Sequence, residues 1–410
     1  MRLFFLGGVF DKAIVEDVNV KSRGVVQNAA DSFQKNLIYG LVKVFPSISI
    51  FSLPFLGSYP LRYNDAFVKG IASEIGSDIP VTRLGFINIS IVKYISRAIS
   101  VFFNFMKVRP GHDDIVMVYS LHVPFLIGLL LSRFISRSNF KVLVIVPDLP
   151  EYMNDSGGLF YSLLKYIESF ILSRLLNRVS YYCLLTESMA SRLRLKKSEY
   201  IVVEGVATHC TEGDSSNSPK ILAEMNISEG RKAFFYSGTL AKRYGIKLLL
   251  DSFLMIKEDC ELWICGDGDG RSEVEKYAKC DSRIKYFGQL PRSSVLELQK
   301  EATFLVNPRP PEGEYTRYSF PSKILEYMSS GRPVIMFRLE GIPSEYYGYC
   351  YTPKSASVLD LSACMSNVLL VSEEELNYKG EQAFDFVTAN KSGVAQARRI
   401  QNFIKGNNDV

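Results

Sequence analysis

Tyr318-Ser319-Phe320-Pro321-Ser322-Lys323-Ile324-Leu325-Glu326-Tyr327 is the passage on which the fold turns. It lies between two short apolar runs, residues 303–306 and 333–337, each of the length and composition of a buried strand. Within the passage, proline stands near a helix start, where its missing N–H costs nothing. Ser319 stands where an N-capping hydroxyl is wanted. Strand, loop, helix and strand in this order make the crossover unit of a parallel sheet.

The same rhythm runs outward in both directions. Residues 233–237, 261–265 and 283–287 are further strand candidates before the passage, with helical patterns between them. The first half offers residues 2–6, 47–52, 115–120, 141–147, 181–186 and 200–203, again separated by apolar spacings of three and four, as in 160–176. Apolar strands alternating with helices, twice over, predict an α/β chain of two doubly wound domains. The boundaries expected are an N-terminal domain over 1–206, a linker over 207–230 around the polar cluster Thr211-Glu212-Gly213-Asp214-Ser215-Ser216, and a C-terminal domain over 231–390. The last segment, 391–410, is helical in pattern and is expected to pack back on the first domain.

Composition narrows the function classes. The chain has 410 residues, 47% hydrophobic and 22% charged, enough for two large cores. A net charge of +5 without a dense basic run argues against nucleic acid and leaves room for an anionic substrate or membrane surface. Seven scattered cysteines with no C-x-x-C pair indicate neither a metal site nor a disulfide framework, and point to a reducing cytoplasm. The longest apolar run, near Val123 to Leu131, is too short to span a bilayer, and the N-terminus is expected to be a buried strand, not a signal peptide.

In open parallel sheets, ligands bind at the carboxyl ends of the strands. Three loops of the second half lie there. Ser237-Gly238-Thr239-Leu240-Ala241-Lys242-Arg243-Tyr244-Gly245 combines glycines with two cations before a helix near Ile246, which suits a diphosphate; a solvated turn with surface cations fits it equally well. Cys265-Gly266-Asp267-Gly268-Asp269-Gly270-Arg271 fails the dinucleotide fingerprint because Arg271 stands where the third glycine belongs. Its two aspartates fit a solvated turn better than a metal pair. The third loop, from Asn307-Pro308-Arg309 to Lys323, leads into the opening passage. There the first amides of the helix, Ser322 and Lys323 suit an anion, and Glu326 suits a vicinal diol such as a ribose, or is a plain surface charge.

Residues 233–345 resemble the donor-binding domain of family 4 glycosyltransferases, the large GT-B group of retaining enzymes. The order of Gly238 with its cations, Cys265-Gly266-Asp267-Gly268, Phe287-Gly288-Gln289-Leu290, Asn307-Pro308-Arg309 and the block Phe320 to Ile335 carries the likeness. It implies two Rossmann-like domains facing a central cleft. Glu326 matches the second glutamate of the family's E-x7-E motif, which holds the nucleotide ribose. Lys242 and Arg243 would act on the donor diphosphate, Phe287 and Gly288 would flank the base, and Gly238, Thr239, Gly266, Ser319, Pro321, Ser322 and Lys323 would complete the donor site. Two departures stand out: Tyr318 occupies the slot of the first glutamate, so that Glu314, Glu312 or Tyr318 itself would reach the sugar, and Thr239 replaces the family's arginine.

The first half resembles the acceptor domain of the same family. Gly7-Gly8 follows the first strand, where the likeness places a loop against the donor phosphates. His122 follows the strand ending at Ser120 and is the candidate catalytic histidine; Asp148 ends another strand and is a candidate sugar contact. The resemblance implies transfer of a sugar, with a UDP-sugar as the first expectation, to a glycan or polyprenyl-linked acceptor in capsule or O-antigen synthesis, without metal or other cofactor. A non-catalytic binder of nucleotide sugars is the alternative. Segments 51–63, 95–109 and 159–178 mix aromatics and aliphatics with Lys and Arg, so a peripheral position at the inner face of an anionic membrane is weighed against ordinary core helices.

Overall fold

Strands that are apolar on both faces need cover on both, and this requirement organises each half. The computed structural model describes residues 1–24, 26–76, 78–149, 159–207 and 230–406. The chain divides into two units. The first comprises Met1–Val206 and the residues from Gly393 onward; the second is Ala207–Ser392. Most of the linker expected over 207–230 lies outside the described residues.

The first unit contains β1 (Leu3–Gly7), β2 (Ile48–Ser52), β3 (Phe67–Val68), β4 (Ile71–Ile75), β5 (Ile79–Arg83), β6 (Phe86–Ile87), β7 (Ile115–Tyr119), β8 (Lys141–Val146), β9 (Tyr181–Leu184) and β10 (Tyr200–Val202). Eight of them form one sheet in the order β10-β9-β8-β7-β1-β2-β5-β4. Only the β4–β5 pair is antiparallel. β1 and β7 are buried along their whole length. Strand order reverses beside β1, which pairs with β2 on one side and β7 on the other. β3 to β6 are absent from the sequence expectations. They are short, carry Pro80 and flanking glycines, and β5 alternates between buried and exposed residues, so an edge hairpin hides inside what reads as a loop.

The last helix, Gly393–Ile404, belongs to this unit and lies against the helix Asn28–Val44. Gln396 Nε2 donates to the carbonyl of Gly205 at 2.9 Å, and Gln401 Nε2 to that of Val44 at 3.1 Å. The crossing is close because Gly40 and Gly393 lack side chains: a Cβ on Gly40 would stand 1.8 Å from the carbonyl oxygen of Gly393. Overpacking costs about 1–3 kcal/mol, while alanine in place of a helical glycine gains up to about 1 kcal/mol. Gly40→Ala is therefore expected to lower stability by about 1 kcal/mol in a thermal melt; an increase would show that the two helices are free to separate.

The second unit contains β11 (Lys232–Ser237), β12 (Cys260–Cys265), β13 (Ile284–Tyr286), β14 (Phe304–Asn307), β15 (Val334–Met336) and β16 (Cys350–Tyr351). All are parallel, in the order β13-β12-β11-β14-β15-β16. Among the described residues, the two-residue β16 is the only strand of this half that the sequence pattern does not offer. The order reverses between β11 and β14, which opens a crevice at their carboxyl ends. Cover comes from helices that include Ile246–Leu254 and Val358–Leu369, and the core is built on Phe234, Phe253, Phe304 and Tyr327. The helix Glu373–Lys391 closes this unit; Lys391 is buried and pairs with Glu345 at 2.6 Å, so the chain leaves the unit at Ser392, two residues later than the boundary read from sequence.

Candidate functional site

At the carboxyl end of β11 the backbone ends in Ser237, whose N–H donates to the Tyr327 hydroxyl at 2.9 Å. That hydroxyl belongs to the helix Lys323–Met328, so strand and helix are fastened side by side. Lys323 Nζ donates to Ser237 Oγ at 3.3 Å and to Glu326 Oε1 at 2.9 Å. Gln299 Nε2, from the helix Arg292–Glu301, donates to the same carboxylate oxygen at 2.7 Å, and Arg292 stands 3.4 Å from the other. Burial tends to push the Glu326 carboxyl up, but Lys323, Gln299 and Arg292 more than offset it and hold it below the usual carboxylate range. Glu326 is thus an ionised acceptor in a largely enclosed place, not a surface charge. Gln299 and Arg292 carry no motif; only the fold brings Gln299 to a carboxylate 27 positions away.

The glycine loops pack closely on one another. A Cβ on Gly266 would fall 1.8 Å from the Gly238 carbonyl oxygen, and Gly238 and Gly266 both have positive φ, +147° and +138°. Gly238 N–H donates to Cys265 O, Leu240 N–H to Asp267 O, and Gly266 N–H to Gly288 O. The loops after β11, β12 and β13 therefore lie backbone on backbone, and glycine is required by that contact before any ligand arrives. Thr239 is exposed and its carbonyl accepts from the Tyr236 hydroxyl at 2.8 Å. Asp269 accepts from the Lys242 N–H at 3.2 Å, which makes it a loop brace, and among the described residues no cluster of three His, Cys, Asp or Glu is placed to hold a metal. Phe287 and Gly288 follow β13, half-buried.

Lys242 and Arg243 form a single 3-10 turn and are exposed, with no ion-pair partner among the described residues. Beside them lies a cation that the sequence reading quoted but did not assign. Arg309 is 8% exposed, its guanidinium lies over the rings of Tyr315 (4.8 Å) and Tyr244 (5.6 Å), and Nη2 donates to Ser319 Oγ at 2.6 Å. No carboxylate pairs with it among the described residues, and its Nε is buried without a partner. Burial lowers its pKa. Ser319 does not cap the helix: the helix begins at Lys323, and the Ser319 hydroxyl donates instead to Tyr315 O at 2.9 Å. The helix has 6 residues, and Ser322 makes no side-chain cap. Glu314 and Glu312 are exposed, and Tyr318 is half-buried.

The remaining candidates belong to the first unit. Gly7 and Gly8 are buried; a Cβ on Gly8 would meet the Phe55 ring at 2.4 Å, and the Gly8 N–H is taken by Gln34 Oε1 at 2.8 Å. Packing accounts for both glycines. His122 and Asp148 line one cavity of about 800 Å³. His122 lies among Phe55, Tyr94 and Phe125, with ring centroids 5.7, 6.1 and 4.4 Å away. Its Nε2 is 3.3 Å from Arg97 Nη1. Burial, Arg97 and Lys93 all push its pKa well below the usual value, so the ring is neutral, Nε2 accepts from Arg97, and Nδ1–H is shielded without a partner. Lys93 and Arg97 were not singled out from sequence; their signal was two like charges four residues apart in an aliphatic helix.

Residues 231–369 match the family model described as Glycosyl transferases group 1. Nothing among curated protein sequences matches the chain. Solved structures share its fold over nearly the whole length. The apo lipopolysaccharide outer core galactosyltransferase WaaB is 15% identical, with a TM-score of 0.61 and 99% of both chains covered. Sucrose-phosphate synthase from Thermosynechococcus elongatus is 15% identical, with a TM-score of 0.64 and 99% of both chains covered. HepE of Anabaena in complex with UDP-glucose is 13% identical, with a TM-score of 0.60, covering 99% of this chain and 100% of that one. The fold is therefore GT-B, with two Rossmann-like doubly wound domains as expected from the strand rhythm, and the match to the glycosyl transferases group 1 model falls within the second unit.

Proposed function

We propose that this GT-B chain is a glycosyltransferase that takes a sugar from a nucleotide diphosphate donor, a UDP-sugar, and passes it with retention to a glycan or polyprenyl-linked acceptor in bacterial surface polysaccharide synthesis. The observation that carries the reading is Glu326: an ionised, largely enclosed carboxylate at the point where the strand order reverses, inside the segment that matches a glycosyltransferase family. A carboxylate so placed accepts two hydrogen bonds from a ribose diol. The donor diphosphate would lie against Lys242, Arg243 and Lys323, with Arg309 supplying the cation that Thr239 lacks. Loop glycines Gly238, Gly266 and Gly288 would let the donor approach backbone, and Phe287 would flank the base. UDP is preferred because the HepE structure contains UDP-glucose.

In the transition state, charge develops on the leaving diphosphate oxygen, and fixed cations stabilise it without reorganising. Glu314 and Tyr318 are the groups this reading aims at the sugar. His122, neutral, and Asp148 belong to the acceptor cavity. Among the described residues no helix is long and apolar enough to cross a membrane; the reading places the protein in the cytoplasm, peripheral at the inner face of the membrane. A transfer assay over a panel of UDP-sugars, with anomeric NMR of the product, tests it. Turnover with the donor's anomeric configuration kept is expected. An inverted product would refute retention, and tight donor binding with no turnover would make the chain a nucleotide-sugar binder.

A further inference from the structure

The helix Ser90–Val108 is built inside out in its first turns. Its buried positions are Lys93, Arg97, Val101 and Phe105, at a spacing of four. Lys93 is 8% exposed and Arg97 2%, whereas Ile95 is 59% and Ile99 50% exposed. An ordinary helix of a water-soluble domain shows the reverse.

Each half of this inversion leads to a cavity. The cations line the 800 Å³ cavity that holds His122. Lys93 Nζ donates to Leu56 O, and Arg97 Nη2 to Pro54 O at 2.5 Å, while Arg97 Nε is buried without a partner. Arg23 and Arg62 line the same space, and among the described lining residues Asp148 is the one carboxylate. None of the four cations has a carboxylate partner among the described residues. Buried charge without a counter-charge is expensive, and among the described residues Lys93 and Arg97 have none, which suits them to an anionic ligand.

The aliphatic face lines a second cavity, of about 700 Å³, walled by Ile95, Ile99, Ile127, Leu131, Ile167 and Ile171 from three helices. Ser58 and Tyr94 line both cavities, so the apolar groove and the cationic pocket share a wall. One ligand chemistry satisfies both: an anionic head of high charge on a long hydrocarbon tail.

We infer that the first unit binds a long-chain lipid diphosphate, with the diphosphate against Lys93, Arg97, Arg23 and Arg62 and the hydrocarbon in the groove between the helices Ser90–Val108, Val123–Ile135 and Leu159–Leu176. The inference rests on the glycosyltransferase reading, in which this lipid is the carrier of the acceptor. It also deepens that reading, because it fixes the linkage next to the carrier as a diphosphate and gives the exposed isoleucines an occupant.

Farnesyl diphosphate, kept below its micelle concentration, is the probe, titrated calorimetrically into the full chain with saturating UDP present to block the donor site. Pyrophosphate supplies the head alone and farnesol the tail alone. Farnesyl diphosphate is expected to bind at least about a hundredfold tighter than either. Ile99→Glu, on an exposed face, is expected to weaken farnesyl diphosphate about tenfold and leave pyrophosphate unchanged; Lys93→Gln is expected to weaken both. Farnesyl diphosphate binding no tighter than pyrophosphate overturns the proposal, as does binding indifferent to Ile99→Glu. So does a groove covered by a second copy of the chain, seen as a dimer in sedimentation that Ile99→Glu dissociates. If UDP binds and the lipid diphosphate does not, this inference fails and the donor reading stands. If the lipid diphosphate binds and no nucleotide does, the donor reading alone fails.

Discussion

Glu326→Ala is expected to weaken UDP binding about a hundredfold. The carboxylate is ionised and sits behind Lys323 and Gln299, with 14% of its side chain exposed. A ribose diol would place two hydrogen bonds on it. Bonds to a charged acceptor are each worth about 1.5–3 kcal/mol, and losing about 3 kcal/mol of that corresponds to two decades in Kd. The substitution also strands the Gln299 amide and the Lys323 ammonium, which now share Oε1 as an acceptor, so a modest fall in melting temperature accompanies it. Glu326→Gln keeps the shape and loses the charge, and is expected to fall between the two. Calorimetry with UDP decides: unchanged affinity in the alanine variant removes Glu326 from the site.

The second large effect concerns Lys93, where burial first, and Arg97 next, bring the pKa down from 10.5 to about 7. A lysine depressed in the folded state charges the fold a penalty that is full below pH 7 and fades as pH rises toward 10.5, because only between those values does the unfolded chain bind a proton that the folded one lacks. At 1.36 kcal/mol per unit, the penalty is on the order of 5 kcal/mol at pH 6. Lys93→Met removes it, and loses the bond to Leu56 O, worth about 1–3 kcal/mol. The variant is therefore expected to be more stable than the parent by about 2–4 kcal/mol at pH 6, with the advantage gone near pH 9.5. Melting temperatures at the two pH values check this. A variant destabilised at pH 6 would mean that Lys93 has a counter-charge in the folded protein. Stability gained together with binding lost is what a residue kept for a ligand shows.

The strand rhythm was legible because parallel strands covered on both faces must be apolar throughout. β1, β7, β8, β11, β12 and β14 each reappear within a residue or two of where sequence places them. Glu326 was legible by its motif. Arg309, Gln299, Arg292, Lys93 and Arg97 were not, because what makes each notable is a contact or a missing counter-charge, and neither is written in a local pattern. Ser319 misled for the same reason: Ser before Pro reads as a cap, yet here its hydroxyl is claimed by Arg309 and Tyr315.

Sequence alone determined the fold class, the chain order of the long parallel strands and the acidic residue at the reversal of the second sheet, since these follow from apolar periodicity and one dense motif. Tertiary structure decided which face of the helix Ser90–Val108 is buried. By hydropathy its isoleucines belong inside and its cations outside. The neighbouring helices instead leave the isoleucines facing an open groove and enclose Lys93 and Arg97 beside His122. Periodicity fixes how residues are spaced around a helix; only packing fixes which side of it meets water.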